Sequence, residues 1–146
     1  MAARILVVED DSLIREVLEM ALLGEGYVVD TAGDGISAAN YLSTETPDLV
    51  VLDLALPLID GFQVCQLIRR QSTTASVPVL VVSALASASA IRAAYRAGAD
   101  VYLDKPFDLS ELLSNVQSLL ESRARHRAPS DGGQQYRGRI SSPARD

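Results

Sequence analysis

The chain has 146 residues, of which 48% are hydrophobic and 22% are charged, a size and composition typical of one globular domain. The apolar stretch from Val77 to Ile91 contains Pro78 and several serines, and it is shorter than the roughly 20 residues of a membrane-spanning helix. The amino terminus reaches the acidic Glu9 after only four bulky apolar residues, too few for a secretory signal. The sequence therefore excludes a membrane span and predicts a cytoplasmic protein.

The chain contains one cysteine, Cys65, and one histidine, His126. These exclude an internal disulfide and a structural zinc site, and a hydrolase would need its histidine base in a polar carboxyl-terminal stretch. Charge is unevenly placed, since residues 1–121 hold 7 basic and 17 acidic groups whereas residues 122–146 hold 6 and 2. The net charge of −10 on residues 1–121 disfavours nucleic-acid binding through that part of the chain.

Short apolar runs alternate with segments of helical periodicity along the chain. Runs that are apolar throughout are typical of strands buried on both faces of a parallel sheet. In chain order the predicted elements are a strand at 5–8, a helix at about 12–24, a strand at 27–31, a helix at about 35–43, a strand at 49–52, a helix at about 61–70, a strand at 77–82, a helix at about 86–97, a strand at 101–103 and a helix at about 109–121. This alternation predicts a doubly wound, five-stranded parallel sheet in a three-layer α/β sandwich with right-handed crossovers.

Local signals add detail to the predicted helices. The first helix carries an apolar stripe on one face, and Asp11 or Ser12 is expected to cap its start. The stripe consists of Leu13, Val17, Met20 and Ala21. Asp108, followed three residues later by Glu111, predicts a capping box at the start of the last helix. Cys65 is interpreted as a small core residue in the third helix, and Arg69 and Arg70 as the solvated end of that helix.

Polar residues follow four of the five predicted strands. They are Glu9-Asp10-Asp11 after the first, Asp53 after the third, Ser83 after the fourth and Asp104-Lys105-Pro106 after the fifth. Because ligands of open parallel sheets bind beyond the carboxyl ends of the strands, these residues predict a site at that edge. Helix capping explains one or two of the acids, but it does not explain why the only lysine beside twelve arginines falls there as well.

Three of these acids, Glu9, Asp10 and Asp53, would repel each other if they met at one edge. A divalent cation removes that repulsion, and an all-oxygen ligand set suits Mg²⁺, or Mn²⁺, rather than zinc. A lysine and a hydroxyl facing the same ion supply contacts that a phosphoryl group requires. The constellation predicts a phosphoryl-transfer site with the central Asp53 as nucleophile.

At this point the sequence resembles the receiver domains of two-component response regulators, the CheY-like superfamily, over residues 4 to about 121. The resemblance rests on several short motifs that occur in order. They are Ile-Leu-Val-Val-Glu-Asp-Asp at 5–11, Pro-Asp-Leu-Val-Val-Leu-Asp-Leu-Ala-Leu-Pro at 47–57, Asp-Gly at 60–61, Val-Val-Ser-Ala at 81–84 and Gly-Ala-Asp-Val-Tyr-Leu-Asp-Lys-Pro-Phe at 98–107. It implies a flavodoxin-like fold and a phosphoprotein of a phosphorelay that catalyses only its own phosphorylation and dephosphorylation.

The resemblance also implies roles for individual residues at the metal site. Glu9 and Asp10 would hold Mg²⁺, and Asp53 would hold it and accept a phosphoryl group from a sensor histidine kinase or a phosphotransfer protein. The backbone carbonyl of Ala55 would complete the protein ligands.

Three further residues receive roles from the same resemblance. Ser83 and Lys105 would bind the phosphoryl oxygens, and Tyr102 would turn inward with Ser83 as the switch. From spacing alone, Tyr102 is as well explained as an aromatic residue that packs on a neighbouring helix. Lys105-Pro106 corresponds to the cis peptide of the family.

Other classes of protein explain the sequence less well. An FMN-binding flavodoxin needs a Ser/Thr/Gly-rich loop after the first strand, where Glu9-Asp10-Asp11 would repel the phosphate. A Mg²⁺-dependent phosphatase with an aspartyl nucleophile resembling the haloacid dehalogenases needs a second aspartate two residues further on, where this chain has Ala55. A receiver-like scaffold that is not phosphorylated would normally lack one of the acids, the hydroxyl or the lysine.

The output of the molecule is less constrained by the sequence. Residues 1–121 are predicted to form the receiver domain, and residues 122–146, rich in Gly, Ser, Pro and Arg, to form a linker or disordered tail. The chain is then either a stand-alone regulator or the receiver of a longer transcription factor or hybrid kinase. The signal would pass through the last two helices and the strand between them to a downstream protein or a fused output domain.

Overall fold

The computed structural model describes residues 2–126 as five β-strands and five α-helices that alternate along the chain. In chain order they are β1 (Arg4–Val8), α1 (Ser12–Gly24), β2 (Val28–Ala32), α2 (Gly35–Thr44), β3 (Leu49–Leu52), α3 (Gly61–Arg70), β4 (Val79–Ser83), α4 (Ala88–Ala97), β5 (Val101–Asp104) and α5 (Leu109–His126). None of these helices has the length and apolar character that a membrane span requires. The predicted α/β fold is confirmed.

The sheet is parallel throughout, with strand order β2-β1-β3-β4-β5. The chain reverses its direction of winding between β1 and β3, so the two strands are neighbours, and Val8 pairs with Leu52 at their carboxyl ends. The amide of Asp53 donates to the carbonyl of Val8 at 3.0 Å, which places Asp53 beside the end of β1. The switch point of the sheet therefore lies where the acidic residues leave β1 and β3.

Alternate residues of the strands enter two separate cores, one on each face of the sheet. Leu6, Val50 and Leu52 pack on the face covered by α2, α3 and α4, together with the fully buried Cys65. The intervening residues, such as Val7 and Val51, pack on the face covered by α1 and α5. Because both faces are covered, every residue of β3 and β4 is buried, which explains why these runs are apolar up to Ser83, the last residue of β4.

The apolar stripe predicted on α1 is not the face that packs against the sheet. Leu13, Val17 and Met20 are 71%, 49% and 67% exposed, whereas Leu18 and Leu22 are buried. Helix α1 carries apolar residues on two neighbouring faces, both with spacing of three or four, so periodicity does not distinguish them. Packing against α5 and the sheet selects the second face.

The helix starts follow the sequence signals, except that the capping box occurs at α3 instead of α5. Asp11 caps α1 by accepting from the amides of Leu13 and Ile14. The reciprocal capping box occurs at the start of α3, between Asp60 and Gln63. Asp108 accepts instead from the amide and hydroxyl of Ser110 at the start of α5, so the predicted capping box between Asp108 and Glu111 was wrong.

Helix α5 runs five residues further than predicted, to His126. The composition after residue 121 favoured a linker because it lacks apolar periodicity. The guanidinium of Arg123, however, reaches back to the start of β3 and donates to the carbonyl of Asp48 at 2.9 Å. In the last turns of the helix, a long-range polar contact therefore provides the attachment to the sheet that an apolar face would otherwise give. Residues 127–146 of the predicted tail lie outside the described residues.

Arg69 is not part of a solvated helix end, and that prediction was wrong. Its guanidinium donates to the carbonyls of Gly98, Ala75 and Val77 and pairs with Asp100 at 2.9 Å. Gly98, at φ +120, ends α4 in a left-handed conformation, and a Cβ there would lie 2.5 Å from Cγ of Arg69. Arg69 therefore joins α3 to the start of β4 and to the turn between α4 and β5.

Candidate functional site

Three carboxylates meet at the carboxyl edge of the sheet, at its switch point. Glu9 follows β1, Asp10 is the next residue, and Asp53 follows β3, and one oxygen from each lies within 4.8 Å of the others. Glu9 and Asp53 are 1% and 4% exposed, whereas Asp10 is open to solvent. The structure thus brings together the three acids that the sequence predicted at one site.

Lys105 lies directly against two of these acids. Its ammonium nitrogen is 2.8 Å from Oε1 of Glu9 and 2.9 Å from Oδ2 of Asp53. The residue follows β5 and precedes a cis peptide bond to Pro106, as the resemblance implied. Its amide donates to the carbonyl of Ser83 at 3.0 Å, which joins the ends of β4 and β5.

The site carries more negative charge than its lysine balances. Burial raises the pKa of the Glu9 carboxyl, and the charge of Asp53 adds to this, against the opposing effects of Lys105 and of the Asp11 amide. Burial by itself lowers the pKa of Lys105, but its hydrogen bonds to Glu9 and Asp53 outweigh burial and raise that pKa. The arrangement therefore favours a further cation.

The ligand set fits a hard divalent cation. All three side chains offer carboxylate oxygens, and the group contains no cysteine or histidine. Mg²⁺ is bound in proteins through one or two carboxylates and retained waters, and exposed Asp10 leaves the cluster open on its solvent side. Glu9, Asp10 and Asp53 are the residues that would hold such an ion.

Ser83 and Tyr102 lie beside this cluster on the next two strands. Ser83, at the end of β4, is completely buried, and its hydroxyl accepts from the amide of Leu85 at 3.2 Å. Tyr102 is half-buried against the core, and its hydroxyl oxygen is buried. Burial raises the pKa of this hydroxyl, and the neighbouring Ser83 side chain opposes that shift. Both residues predicted as the switch are thus near the site, and the tyrosine already points inward.

Two exposed apolar residues lie at the mouth of the site. The amide of Ala55 donates to Oδ1 of Asp53 at 3.1 Å, just as the amide of Leu85 donates to the hydroxyl of Ser83. Leu85 is 40% exposed. Each is two residues beyond a site residue, and neither side chain offers a polar atom to the cluster.

Gly61, at the start of α3, is required by a close approach to the backbone of the site aspartate. A Cβ on Gly61 would lie 2.2 Å from the carbonyl oxygen of Asp53, and the Gly61 amide donates to the carbonyl of Leu54 at 2.9 Å. The Asp60-Gly61 pair of the sequence motif therefore has a structural purpose: Asp60 caps α3, and Gly61 lets the helix begin against the strand end that carries Asp53.

Sequence reasoning missed two contacts of the site. It gave Lys105 a role in phosphoryl binding but no contact with Glu9, and it assigned nothing to Arg15, whose guanidinium donates to the Glu9 carbonyl at 2.8 Å. No motif marks Arg15 among the arginines of the chain. Only its position one turn after the acidic run could have indicated the contact.

Fold and site together define a class of protein, the doubly wound α/β domains with an acidic cluster and a lysine at the switch point of the sheet. Residues 5–117 match the family model described as response regulator receiver domain. The chain belongs to this family, whose members act in two-component signalling, and the resemblance given by the sequence motifs is confirmed.

Several named relatives share this similarity. The chain is 41% identical over 146 residues to the alkaline phosphatase synthesis transcriptional regulatory protein SphR of Synechococcus elongatus, covering 94% of this chain and 56% of that protein. It is 45% identical over 120 residues to the response regulator MprA of Mycobacterium ulcerans, covering 82% and 51%. The chain therefore spans about half the length of these curated relatives.

One solved structure that is similar in fold contains a bound metal ion. The receiver domain of the sensor histidine kinase PA1611 from Pseudomonas aeruginosa PAO1 is 31% identical, with a TM-score of 0.77 over 83% of this chain and 99% of that one. That crystal structure holds a magnesium ion coordinated in its active site cleft.

Proposed function

We propose that this receiver domain accepts a phosphoryl group on Asp53 from a phosphohistidine of a sensor histidine kinase or phosphotransfer protein. The observation that carries the proposal is the cluster of Glu9, Asp10 and Asp53 within 4.8 Å of one another, with the Lys105 ammonium against two of the three. Lys105 and a divalent cation together would offset the repulsion between these acids and an incoming phosphoryl group.

The transfer step forms one bond and breaks another. An oxygen of the Asp53 carboxylate attacks phosphorus, and the bond between phosphorus and the donor imidazole nitrogen breaks, with the electron pair returning to that nitrogen. Asp53 is buried, so its approach to phosphorus excludes most solvent. Ser83 and Lys105 then bind phosphoryl oxygens as hydrogen-bond donors.

Mg²⁺, or Mn²⁺, is proposed as the cofactor, held by Glu9, Asp10, Asp53 and the backbone carbonyl of Ala55. When bound, the ion supplies positive charge against the phosphoryl oxygens. The receiver domain acts on its own aspartate and does not turn over a separate substrate, so the domain catalyses only its own phosphorylation and dephosphorylation.

The signal is proposed to leave through the face formed by α4, β5 and α5. Tyr102 lies on β5, whose last residues pair with the end of β4 through Ser83 and Asp104. A movement of the Ser83 hydroxyl toward a phosphoryl group would change the space around the Tyr102 ring. The recipient is a downstream protein or a fused output domain, and the transcriptional role of the relative SphR favours the receiver of a transcription factor.

We also infer that residues 1–121 contain the phosphoryl chemistry and that the arginine-rich residues 122–146 serve as a connection. All proposed site residues fall within the first range. The negative charge of that range favours protein partners over nucleic acid there. A cytoplasmic location stays a prediction.

The proposal is tested by incubating the purified chain with Mg²⁺ and phosphoramidate and measuring the mass of the intact protein. We expect addition of one phosphoryl group to the parent protein. No phosphoryl group should be added when Mg²⁺ is chelated before the reaction, or to Asp53→Asn. Asp104→Asn, which changes an exposed acid at the end of β5, should be labelled like the parent.

Two results would contradict the proposal. Labelling of Asp53→Asn to full stoichiometry at the parent rate would exclude Asp53 as the acceptor. Repeated turnover of a phosphate monoester by the parent protein would show a phosphatase with an aspartyl nucleophile instead.

A further inference from the structure

The side chain of Arg15 contacts the backbone of the acidic loop that joins β1 to α1. Its Nη1 atom donates to the carbonyl of Glu9 at 2.8 Å and, more weakly, to the carbonyl of Asp10 at 3.4 Å. The residues that supply these carbonyls are two of the three whose carboxylates form the acidic cluster. Arg15 thus contacts the backbone of the cluster without being one of its acids.

We propose that Arg15 is a positioning residue that sets the divalent-cation affinity of the acidic cluster. The inference rests on the proposed function, because it concerns the cation that would serve phosphorylation of Asp53. Arg15 acts through the peptide groups of Glu9 and Asp10 rather than by touching the ion.

The geometry explains how a carbonyl contact would control carboxylates. Since the peptide group is planar, the direction of the Glu9 carbonyl is fixed together with ψ of Glu9 and φ of Asp10. The amide of Glu9 is held by the carbonyl of Ala32 at 3.0 Å, and the Glu9 carboxylate accepts from the amide of Asp11 at 3.1 Å. Arg15 supplies the remaining fixed contact on the carbonyl side, so its loss would free the loop that presents Glu9 and Asp10.

The guanidinium lies in space that the lack of a side chain at Gly33 leaves open. Gly33, which follows β2, leaves room for Arg15, because a Cβ at this position would lie 3.2 Å from Nη1 and 3.7 Å from Cζ. Gly33 is not one of the glycines with a positive φ, which among the described residues are Gly26 and Gly98, so alanine can adopt its conformation. Gly33→Ala therefore requires the guanidinium to shift by a few tenths of an ångström while the charge of the protein is unchanged.

Charge and positioning predict opposite effects when Arg15 is neutralised. If Arg15 acted only as a positive charge near the acids, its removal would strengthen the binding of a cation. If Arg15 positions the loop, its removal weakens cation binding, and contacts of this kind typically change metal affinity about tenfold or more. The sign of the change therefore separates the two roles.

The experiment measures Mg²⁺ binding by isothermal titration calorimetry, with Mn²⁺ binding followed by electron paramagnetic resonance, on the full chain. The variants are Arg15→Gln and Gly33→Ala. Arg4→Gln, which removes an equal charge at the opposite end of β1, and Gly24→Ala, where a Cβ meets nothing within 4 Å, are the matched controls. Thermal unfolding of each variant reports its stability separately.

We expect Arg15→Gln to raise the dissociation constant about tenfold, Gly33→Ala to raise it by a smaller factor, and both controls to match the parent. Binding by Arg15→Gln that equals or exceeds that of the parent would overturn the inference, as would parent-like binding by Gly33→Ala. If the parent chain itself bound neither ion, the cation site of the proposed function would fail. That result is distinguishable, since it does not depend on any variant.

Discussion

The Lys105 ammonium lies 2.8 Å from Oε1 of Glu9, although the strands that precede the two residues, β5 and β1, are separated in the sheet by β3 and β4. The lysine reaches this acid by crossing the end of β3, where it also contacts Asp53 at 2.9 Å. One side chain from the edge strand thus occupies the place between two buried carboxylates. Lys105 therefore competes with a divalent cation for the same negative charge.

Replacing Lys105 with alanine is expected to strengthen Mg²⁺ binding several-fold, because a competing positive charge is removed from Glu9 and Asp53. The same variant should lose most of its conformational response to phosphorylation, since the phosphoryl group loses a donor. Calorimetry measures the first effect, and amide exchange across residues 84–107 measures the second. Arg92→Ala, an exposed cation on α4, is the control. An unchanged exchange response in Lys105→Ala would refute this role.

The aspartyl phosphate is expected to be long-lived. Its hydrolysis requires a water in line with the bond between Asp53 and phosphorus, and neither Ala55 nor Leu85 can orient one. Their amides bond to the side chains of Asp53 and Ser83, which places both residues beside the site. The double variant Ala55→Asn, Leu85→Glu should lose its label roughly tenfold faster, equivalent to about 1.4 kcal/mol in the barrier.

Loss of label is followed in Mg²⁺ buffer without a kinase. The single variants show which position matters more. Equal decay rates in the parent and the double variant would show that these two side chains do not govern access of water.

Arg69 is expected to be a major contributor to stability. Arg69→Ala leaves the carbonyls of Gly98 and Val77 without their donor and should lower the free energy of unfolding by about 2–4 kcal/mol. Arg70→Ala, at the neighbouring exposed position, should change it by less than about 0.5 kcal/mol. Urea unfolding followed by circular dichroism measures both. Similar losses in the two variants would contradict the role of Arg69.

Asp30 links stability to acidic pH. A hydrogen bond from the Tyr41 hydroxyl and the pairing with Arg4 hold the pKa of Asp30 below its ordinary value of 3.8. Since the folded-state pKa is lowered, the stabilisation is complete above the ordinary pKa and is lost as pH falls through the folded-state value. Asp30→Asn should cost about 1 kcal/mol at neutral pH and progressively less below about pH 4. A difference from the parent that stays constant between pH 7 and pH 3 would contradict this linkage.

The end of α5 should matter for stability but not for labelling. A chain that ends after Ser122 loses the contact from Arg123 to the Asp48 carbonyl, and we expect a loss of about 1 kcal/mol. A chain that ends after His126 keeps the contact and should unfold like the parent. Both should be labelled on Asp53 by phosphoramidate, and abolished labelling in either would show that the removed residues take part in the chemistry.

The sequence by itself determined the order of the elements and the identity of the acids. Runs such as Leu49–Leu52 are apolar at every position because both faces of a parallel sheet are covered, and this pattern is visible without coordinates. Glu9, Asp53 and Lys105 were predictable at one edge of the sheet because they follow strand ends, and the ends of parallel strands share that edge. Local order in the chain was sufficient for these conclusions.

Only the tertiary structure decided which contacts the long side chains make. Arginine and lysine reach far from their own backbone, so Arg69 joins Gly98 and Lys105 joins Glu9 across elements that are distant in sequence. Spacing gives no information on such contacts, because an arginine at a helix end has the same local pattern whether it is solvated or bound. The choice between the two apolar faces of α1 was likewise made by packing on α5 and the sheet, since both faces have the periodicity of a buried helix.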